Sequence, residues 1–386
     1  MSTLRLLDAA GVVTDAVLND GGGYSRPASA LQSRVAYAAA HVVPKASADN
    51  TPGRPAEIDW DATLAFRRNV YSWGLGVADA MDTAQRNMGL DAAATRELIA
   101  RSAQVAREEG GSVVVGVNTD HVDEARIPLD AVIDAYKEQL HFVEDHGAGP
   151  VLMASRHLAR AATDAGDYRR VYRAVLEAAS TPVVLHWLGT AFDPELQGYF
   201  GADDWQTASG VLLDIIDENP GKVAGVKMSL LNADSEISVR SRLPRGVRMF
   251  TGDDFHYVSL IGGDDGGYSD ALLGAFAAIA PVASAAIQAL DAGDRDAYRR
   301  ILAPTEELSR QVFAAPTYFY KTGVAFLSWL NGHQPAFQMV GGLHSARSLP
   351  HLSRIVELAN VALALERPEL ARERWHAMLR LNGVDA

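Results

Sequence analysis

The chain has 386 residues, 48% hydrophobic and 22% charged, the proportions of an ordinary globular protein and enough for one large α/β barrel with additions. A formal net charge of −13 argues against nucleic-acid and anionic-membrane partners, and the absence of cysteine excludes disulfides, thiolate zinc sites and a cysteine nucleophile. No apolar run approaches the ~20 residues that span a bilayer, and Met1-Ser2-Thr3-Leu4-Arg5 lacks the apolar core of a signal peptide, so a cytoplasmic protein is expected.

Residues 3–18 read as a hairpin around Asp8-Ala9-Ala10-Gly11, and Gly21-Gly22-Gly23 as a turn with no phosphate-loop context. Residues 34–43 are the first core strand, followed by a loop over 44–57. A helix opens behind Asp59 and runs to about residue 73. Strands then alternate with helices: strands at 76–81, 112–117, 150–153, 182–187, 223–230 and 247–251, and helices at 91–109, 129–146, 167–179 and 203–218. Residues 270–279 are a mixed segment able to supply an eighth strand. Strand–helix alternation over roughly 250 residues predicts a (β/α)8 TIM barrel. An open doubly wound sheet is the rival, but no G-x-G-x-x-G follows an early strand. From about residue 283 the pattern turns helical, at 283–292, 295–314, 320–331 and 351–380. The expected organisation is an N-terminal hairpin over 1–30, the barrel over 31–282 and a helical region over 283–386 packed on it.

Lysine occurs at five positions, 45, 137, 222, 227 and 321. Only Lys227 lies inside a strand-like run, Val223-Ala224-Gly225-Val226-Lys227-Met228-Ser229-Leu230, bounded by Asn219-Pro220-Gly221-Lys222 and by a polar loop at 231–235. A lysine there either reaches out of the strand end to a carboxylate or sits desolvated with its pKa lowered, as Schiff-base chemistry on a carbonyl requires. In a barrel the C-terminal strand ends carry the chemistry. Those ends read Asp82-Thr83, Asn118-Thr119-Asp120-His121, Ser155-Arg156-His157, His186-Trp187, Lys227, and Thr251-Gly252-Asp253-Asp254 with His256. Gathered around one lysine, they describe a polar pocket.

Gly225-Val226-Lys227-Met228-Ser229 resembles the G-[IV]-K-x-S strand of the dihydrodipicolinate synthase/N-acetylneuraminate lyase superfamily, which are class I aldolase-type barrels. Thr251-Gly252-Asp253-Asp254 is similar in kind and spacing to that family's following [ST]-G-x-[DE] strand end. Thr181 to Trp187 sits where the family has P-x-x-x-Y-N, Asp82-Thr83-Ala84-Gln85-Arg86 where it has G-T-T-G-E, and Gly116 to Thr119 where it has its third-strand end. Tyr320-Lys321-Thr322-Gly323 sits near its C-terminal helical lysine. The resemblance spans approximately residues 34–350 and is that of an outlying branch. It implies an imine on Lys227, no cofactor, a small carbonyl substrate and a homodimer or homotetramer. The family's strand-five tyrosine appears here as His186, its strand-four tyrosine as Ser155 or Arg156, and of G-T-T-G-E only Thr83 is kept.

Lys227 would form the imine, a sink for electrons from a neighbouring bond. His186 would relay protons, or be a hydrogen-bonded core histidine. Thr83 and Asp82 would bind the substrate, with Thr83 holding a carboxylate or hydroxyl, or closing a strand end. Asn118 would contribute to the same pocket. Arg156 would bind an anionic group, or form a surface ion pair. Asp253 and Asp254 would bind substrate hydroxyls, or cap and brace their loop. Gly262 to Gly267 is an acidic lid or a solvated turn. Tyr318-Phe319-Tyr320 suits packing, and Lys321 suits ion pairing.

Two other functions compete with the reading of a lyase or aldolase acting on a 2-oxo acid or a sugar-derived carbonyl compound, of which a dehydratase is a variant. A divalent-metal isomerase or class II aldolase would draw ligands from Asp82, His121, His157, His186, Asp253 and His256, though no compact H-x-H or H-x-x-E-H pair anchors them. A barrel that only binds a ligand would explain the altered tyrosines and the altered G-T-T-G-E loop.

Overall fold

The computed structural model describes residues 2–385. β1 (Thr3–Leu7) and β2 (Val13–Val17) form the expected antiparallel hairpin, with Leu7 opposite Val13. Eight parallel strands follow: β3 (Ala36–Ala39), β4 (Gly76–Asp79), β5 (Val113–Val117), β6 (Gly149–Met153), β7 (Val183–Leu188), β8 (Val223–Ser229), β9 (Arg248–Thr251) and β10 (Asp270–Leu273). They close in chain order, with β10 returning to β3. The mixed segment after residue 270 is therefore the closing strand. It passes directly into the helix Gly274–Ala278.

The helices form where capping and apolar spacing coincide. Asp59 accepts from the Ala62 amide to open Trp60–Ser72, and Asp91 from the Ala94 amide to open Ala92–Glu109. Asp164 and Asp204 open Ala165–Ala178 and Trp205–Glu218. The segment after Lys227 differs from the expected polar loop: Asn232 caps a helix over Ala233–Arg240. Two six-residue helices, Arg156–Ala161 and Tyr257–Gly262, are too short to give an apolar period. The long C-terminal helices are each divided. Pro304 starts a new helix after Arg295–Leu302, and Pro368 starts another after Leu349–Val361 and the left-handed Leu363.

Inside the barrel a small cluster of Ala39, Ala78, Met81, Val114, Val151, Met153, Val184, Phe250 and Leu272 fills the lumen. A larger apolar layer joins the barrel's outer face to the helices. One ion pair crosses that layer: Arg67, on Trp60–Ser72, meets Asp79 of β4 through two bonds of 2.9 and 2.8 Å, and both side chains are fully buried. The hairpin is held by the C-terminal helices, where the Leu7 amide donates to Ser353 Oγ and Trp375 Nε1 to the Arg5 carbonyl, each at 2.7 Å. Among the described residues no helix is long and apolar enough to cross a membrane.

Candidate active site

Alternation along β8 decides where Lys227 points. Its Cα pairs with His186 of β7 on one side and Phe250 of β9 on the other. Phe250, and Val184 two residues before His186, belong to the lumen cluster. Side chains paired across a sheet share a face, so Lys227 and His186 both point into the barrel, at its C-terminal end. Space for the lysine stem comes from Gly252, where an added Cβ would lie 2.9 Å from Lys227 Cε, 2.8 Å from the Met228 carbonyl oxygen and 2.2 Å from Ser229 Oγ.

Lys227 is buried, at 5% exposure, and among the described residues its ammonium has no hydrogen-bond or ion-pair partner. Burial lowers its pKa below the ordinary lysine range, and the carboxyls of Asp82 and Asp254, near enough to act on its charge, oppose that shift. The same burial raises Asp254 well above the carboxylate range, against a bond from the Ala275 amide and the attraction of Lys227. Burial thus shifts both groups toward their uncharged forms. His186 is pushed well below 6.5 by burial and then by Lys227. It is a neutral imidazole, with Nε2 3.2 Å from Ser229 Oγ and Nδ1 unpartnered.

The corner opposite is built by the β4 loop and, unexpectedly, by the C-terminal region. Ala80 leaves β4 in the left-handed region, at φ 47°, and turns the chain into Asp82 and Thr83. Tyr320, at the start of the helix Tyr320–Leu330, reaches into this corner. Its hydroxyl donates to Asp82 Oδ2 at 2.7 Å and lies 2.7 Å from Thr83 Oγ1. Its ring stacks on Phe313, with centroids 4.3 Å apart. Gly274, the first residue of the helix after β10, admits the ring, since a Cβ there would lie 3.0 Å from Tyr320 Cε2. Burial and the adjacent Asp82 raise the Tyr320 hydroxyl well above the usual tyrosine value. Lys321 is also buried. Its ammonium donates to the Tyr318 carbonyl at 3.1 Å, stands 3.9 Å from Asp82 Oδ2, and has its pKa lowered by burial against the pull of Asp82 and Asp193. Spacing had assigned Tyr320 to packing and Lys321 to an ion pair. The ion pair is present, and it lies at the mouth of the barrel rather than on the surface.

The other candidates are held differently. Arg156 is tied to Asp193 at 2.7 Å and Glu195 at 3.3 Å. Asn118 turns its Oδ1 to the Thr119 amide at 2.8 Å, while its own amide donates to Gln139. Asp253 caps its turn: Oδ1 accepts from the Phe255 and His256 amides, and Oδ2 lies 2.9 Å from His256 Nδ1. Of the remaining histidines, His121 meets Gln139 and Glu138, and His157 meets Thr119 and the Glu124 carbonyl. Among the described residues no three His, Asp or Glu side chains are arranged to hold a metal ion. A cavity of about 750 Å3 opens at the other end of the barrel, among the strand starts, and none of these residues lines it.

The fold is shared with solved structures. A putative dihydrodipicolinate synthetase from Pseudomonas aeruginosa matches at a TM-score of 0.64 and 16% identity, covering 85% of this chain and 98% of that one. YagE, a dihydrodipicolinic acid synthase family protein from E. coli K12 solved in complex with pyruvate, matches at 0.65 and 16%, with the same coverage. The dihydrodipicolinate synthase from Oceanobacillus iheyensis matches at 0.64 and 13%, covering 85% and 96%. No curated protein matches the sequence. The model of one family, described as a protein of unknown function (DUF993), matches residues 4–384. The chain therefore belongs to the DUF993 family, and its barrel has the fold of the dihydrodipicolinate synthase structures.

Proposed function

We propose that this protein is a Schiff-base-forming lyase or aldolase, or a dehydratase on the same imine, in which Lys227 condenses with the carbonyl of a small molecule. The observation that carries this reading is a buried lysine inside the barrel at its C-terminal end, with no hydrogen bond or ion pair among the described residues. Burial lowers the pKa of the amine and so raises the share of it that is neutral, and only the neutral amine is a nucleophile. Its lone pair attacks the carbonyl carbon, the C=O pair moves to oxygen, and the oxygen leaves as water after protonation. The protonated imine then accepts the electron pair of an adjacent bond as that bond breaks, and hydrolysis returns the lysine. His186, paired across the sheet with Lys227, is the residue this reading assigns to pass the proton. Asp82, Thr83 and Asp254 are the side chains this reading assigns to contact with the substrate. The chemistry needs neither cofactor nor metal. A homodimer or homotetramer in the cytoplasm belongs to the same proposal.

Borohydride reduction in the presence of 2-oxo acids and keto-sugars tests it by intact-protein mass, on wild type and Lys227→Ala. A reduced adduct on wild type alone is expected. A ligand-induced thermal shift without any adduct would instead make this a barrel that binds and does not react.

A further inference from the structure

The hydrogen bonds at the Asp82 corner have a direction, and the direction says what kind of substrate fits. A tyrosine hydroxyl has one proton and a threonine hydroxyl has one. Tyr320 gives its proton to Asp82 Oδ2 at 2.7 Å. Across the 2.7 Å contact between Tyr320 and Thr83, the donor is therefore Thr83. The chain runs from Thr83 through Tyr320 to Asp82 and ends on a carboxylate. Thr83 has no proton left to offer, and its remaining capacity, like that of Asp82 Oδ1, is to accept. A corner made of acceptors binds donors, namely substrate hydroxyls. It does not bind a carboxylate, which is itself an acceptor.

The cationic side chains near the strand ends support the same conclusion. Arg156 is engaged by Asp193 and Glu195, and Arg86 is buried against Asp120. Lys321 faces Asp82 and donates to the Tyr318 carbonyl. An incoming carboxylate would meet the Asp82 charge with Lys321 already set against it, and its desolvation would go uncompensated.

We propose that the carbonyl compound joined to Lys227 is an uncharged polyhydroxylated aldehyde or ketone, a sugar-type substrate, and not a 2-oxo acid. This rests on the imine reading above and narrows its substrate. One hydroxyl near the carbonyl donates to Thr83 Oγ1 and a second to Asp82 Oδ1, while the carbonyl carbon meets Lys227. One water leaves on imine formation, and no oxidant or reductant is involved. Borohydride then supplies a hydride and solvent a proton, leaving a secondary amine heavier than the protein by the mass of the compound less one oxygen atom.

The test is competitive trapping on the full chain, with pyruvate and dihydroxyacetone at equal concentration and with larger ketoses in parallel. Wild type is expected to trap the uncharged ketones at least about tenfold faster than pyruvate, a bias of about 1.4 kcal/mol. Asp82→Asn keeps an oxygen for Tyr320 to donate to and removes the charge, so it is expected to narrow or reverse that ratio. Its thermal midpoint, measured alongside, shows that it is folded. Faster trapping of pyruvate on Lys227 of wild type would overturn this inference and leave the imine reading standing. No adduct from either class would overturn both. An unchanged ratio in a folded Asp82→Asn variant would show that Asp82 does not select the substrate.

Discussion

Tyr320 and Thr83 stand 237 positions apart in the chain and share a hydrogen bond of 2.7 Å at the mouth of the barrel. The C-terminal helical region therefore contributes to the candidate site as well as covering the barrel. Tyr320 keeps its proton at any physiological pH, because burial and Asp82 hold its pKa well above the usual value. It acts as a fixed donor to Asp82 and a fixed acceptor for Thr83, and so sets the polarity of the corner.

Tyr320→Phe tests this. The ring and its stacking on Phe313 remain, and only the hydroxyl is lost. Thr83 regains a free proton and Asp82 loses a donor. The expected stability loss is small, about 1 kcal/mol. Trapping of uncharged ketones should slow by roughly 10- to 100-fold as the corner loses its orientation. The preference over pyruvate should shrink with it. A lowered thermal midpoint with unchanged trapping and unchanged preference would assign Tyr320 to packing alone.

What the sequence shows and what it hides separate along physical lines. The eight strands were legible because each is a short apolar run between turn residues and caps, and the aspartate caps at 59 and 91 lie in place. Lys227 was legible because a lysine in such a run is rare. Asp82 and Thr83 were found from their position at a strand end. Tyr320 was not, since an aromatic cluster at helical spacing looks the same whether it packs on a neighbour or reaches across a barrel mouth. Nor could the direction of a hydrogen bond be read before the partner was known. Arg156 and Asp253 show the reverse difficulty. Their residue types suit ligand binding, and only the structure reveals Asp193, Glu195 and the turn amides that occupy them.

Gly252→Ala probes the packing of the reactive lysine. The new Cβ would fall 2.2 Å from Ser229 Oγ and 2.8 Å from the Met228 carbonyl oxygen, and the second of these is backbone and cannot swing aside. The lysine stem, 2.9 Å away, would be displaced as well. Overpacking of this kind costs about 1–3 kcal/mol. The thermal midpoint should fall, and adduct formation on Lys227 should slow by more than tenfold, because a displacement near 1 Å is enough to spoil attack geometry. Unchanged trapping would place the lysine stem away from Gly252.

Glu236 was not singled out in the sequence, where it follows the expected polar loop at 231–235. It lies inside the helix Ala233–Arg240 and is 1% exposed. Its Oε1 accepts from Ser269 Oγ at 2.6 Å, and Oε2 has no partner. Burial pushes its pKa from 4.5 to about 8, with Asp253 adding to the shift while the hydroxyls of Ser269 and Thr251 and the charge of Arg240 oppose it. The folded protein thus keeps a proton that the unfolded chain has lost above 4.5. Its contribution to stability is fully present below that pH and is lost as pH rises through about 8. The wild-type thermal midpoint should fall between pH 5 and pH 8.5, by an amount on the order of a few kcal/mol in stability. Glu236→Gln retains an oxygen for Ser269 and cannot ionise. It should match wild type near pH 5 and exceed it by several degrees at pH 8.5. Parallel pH profiles for the two proteins would show that Glu236 ionises without cost, which a carboxyl so enclosed by the barrel wall and its own helix does not permit.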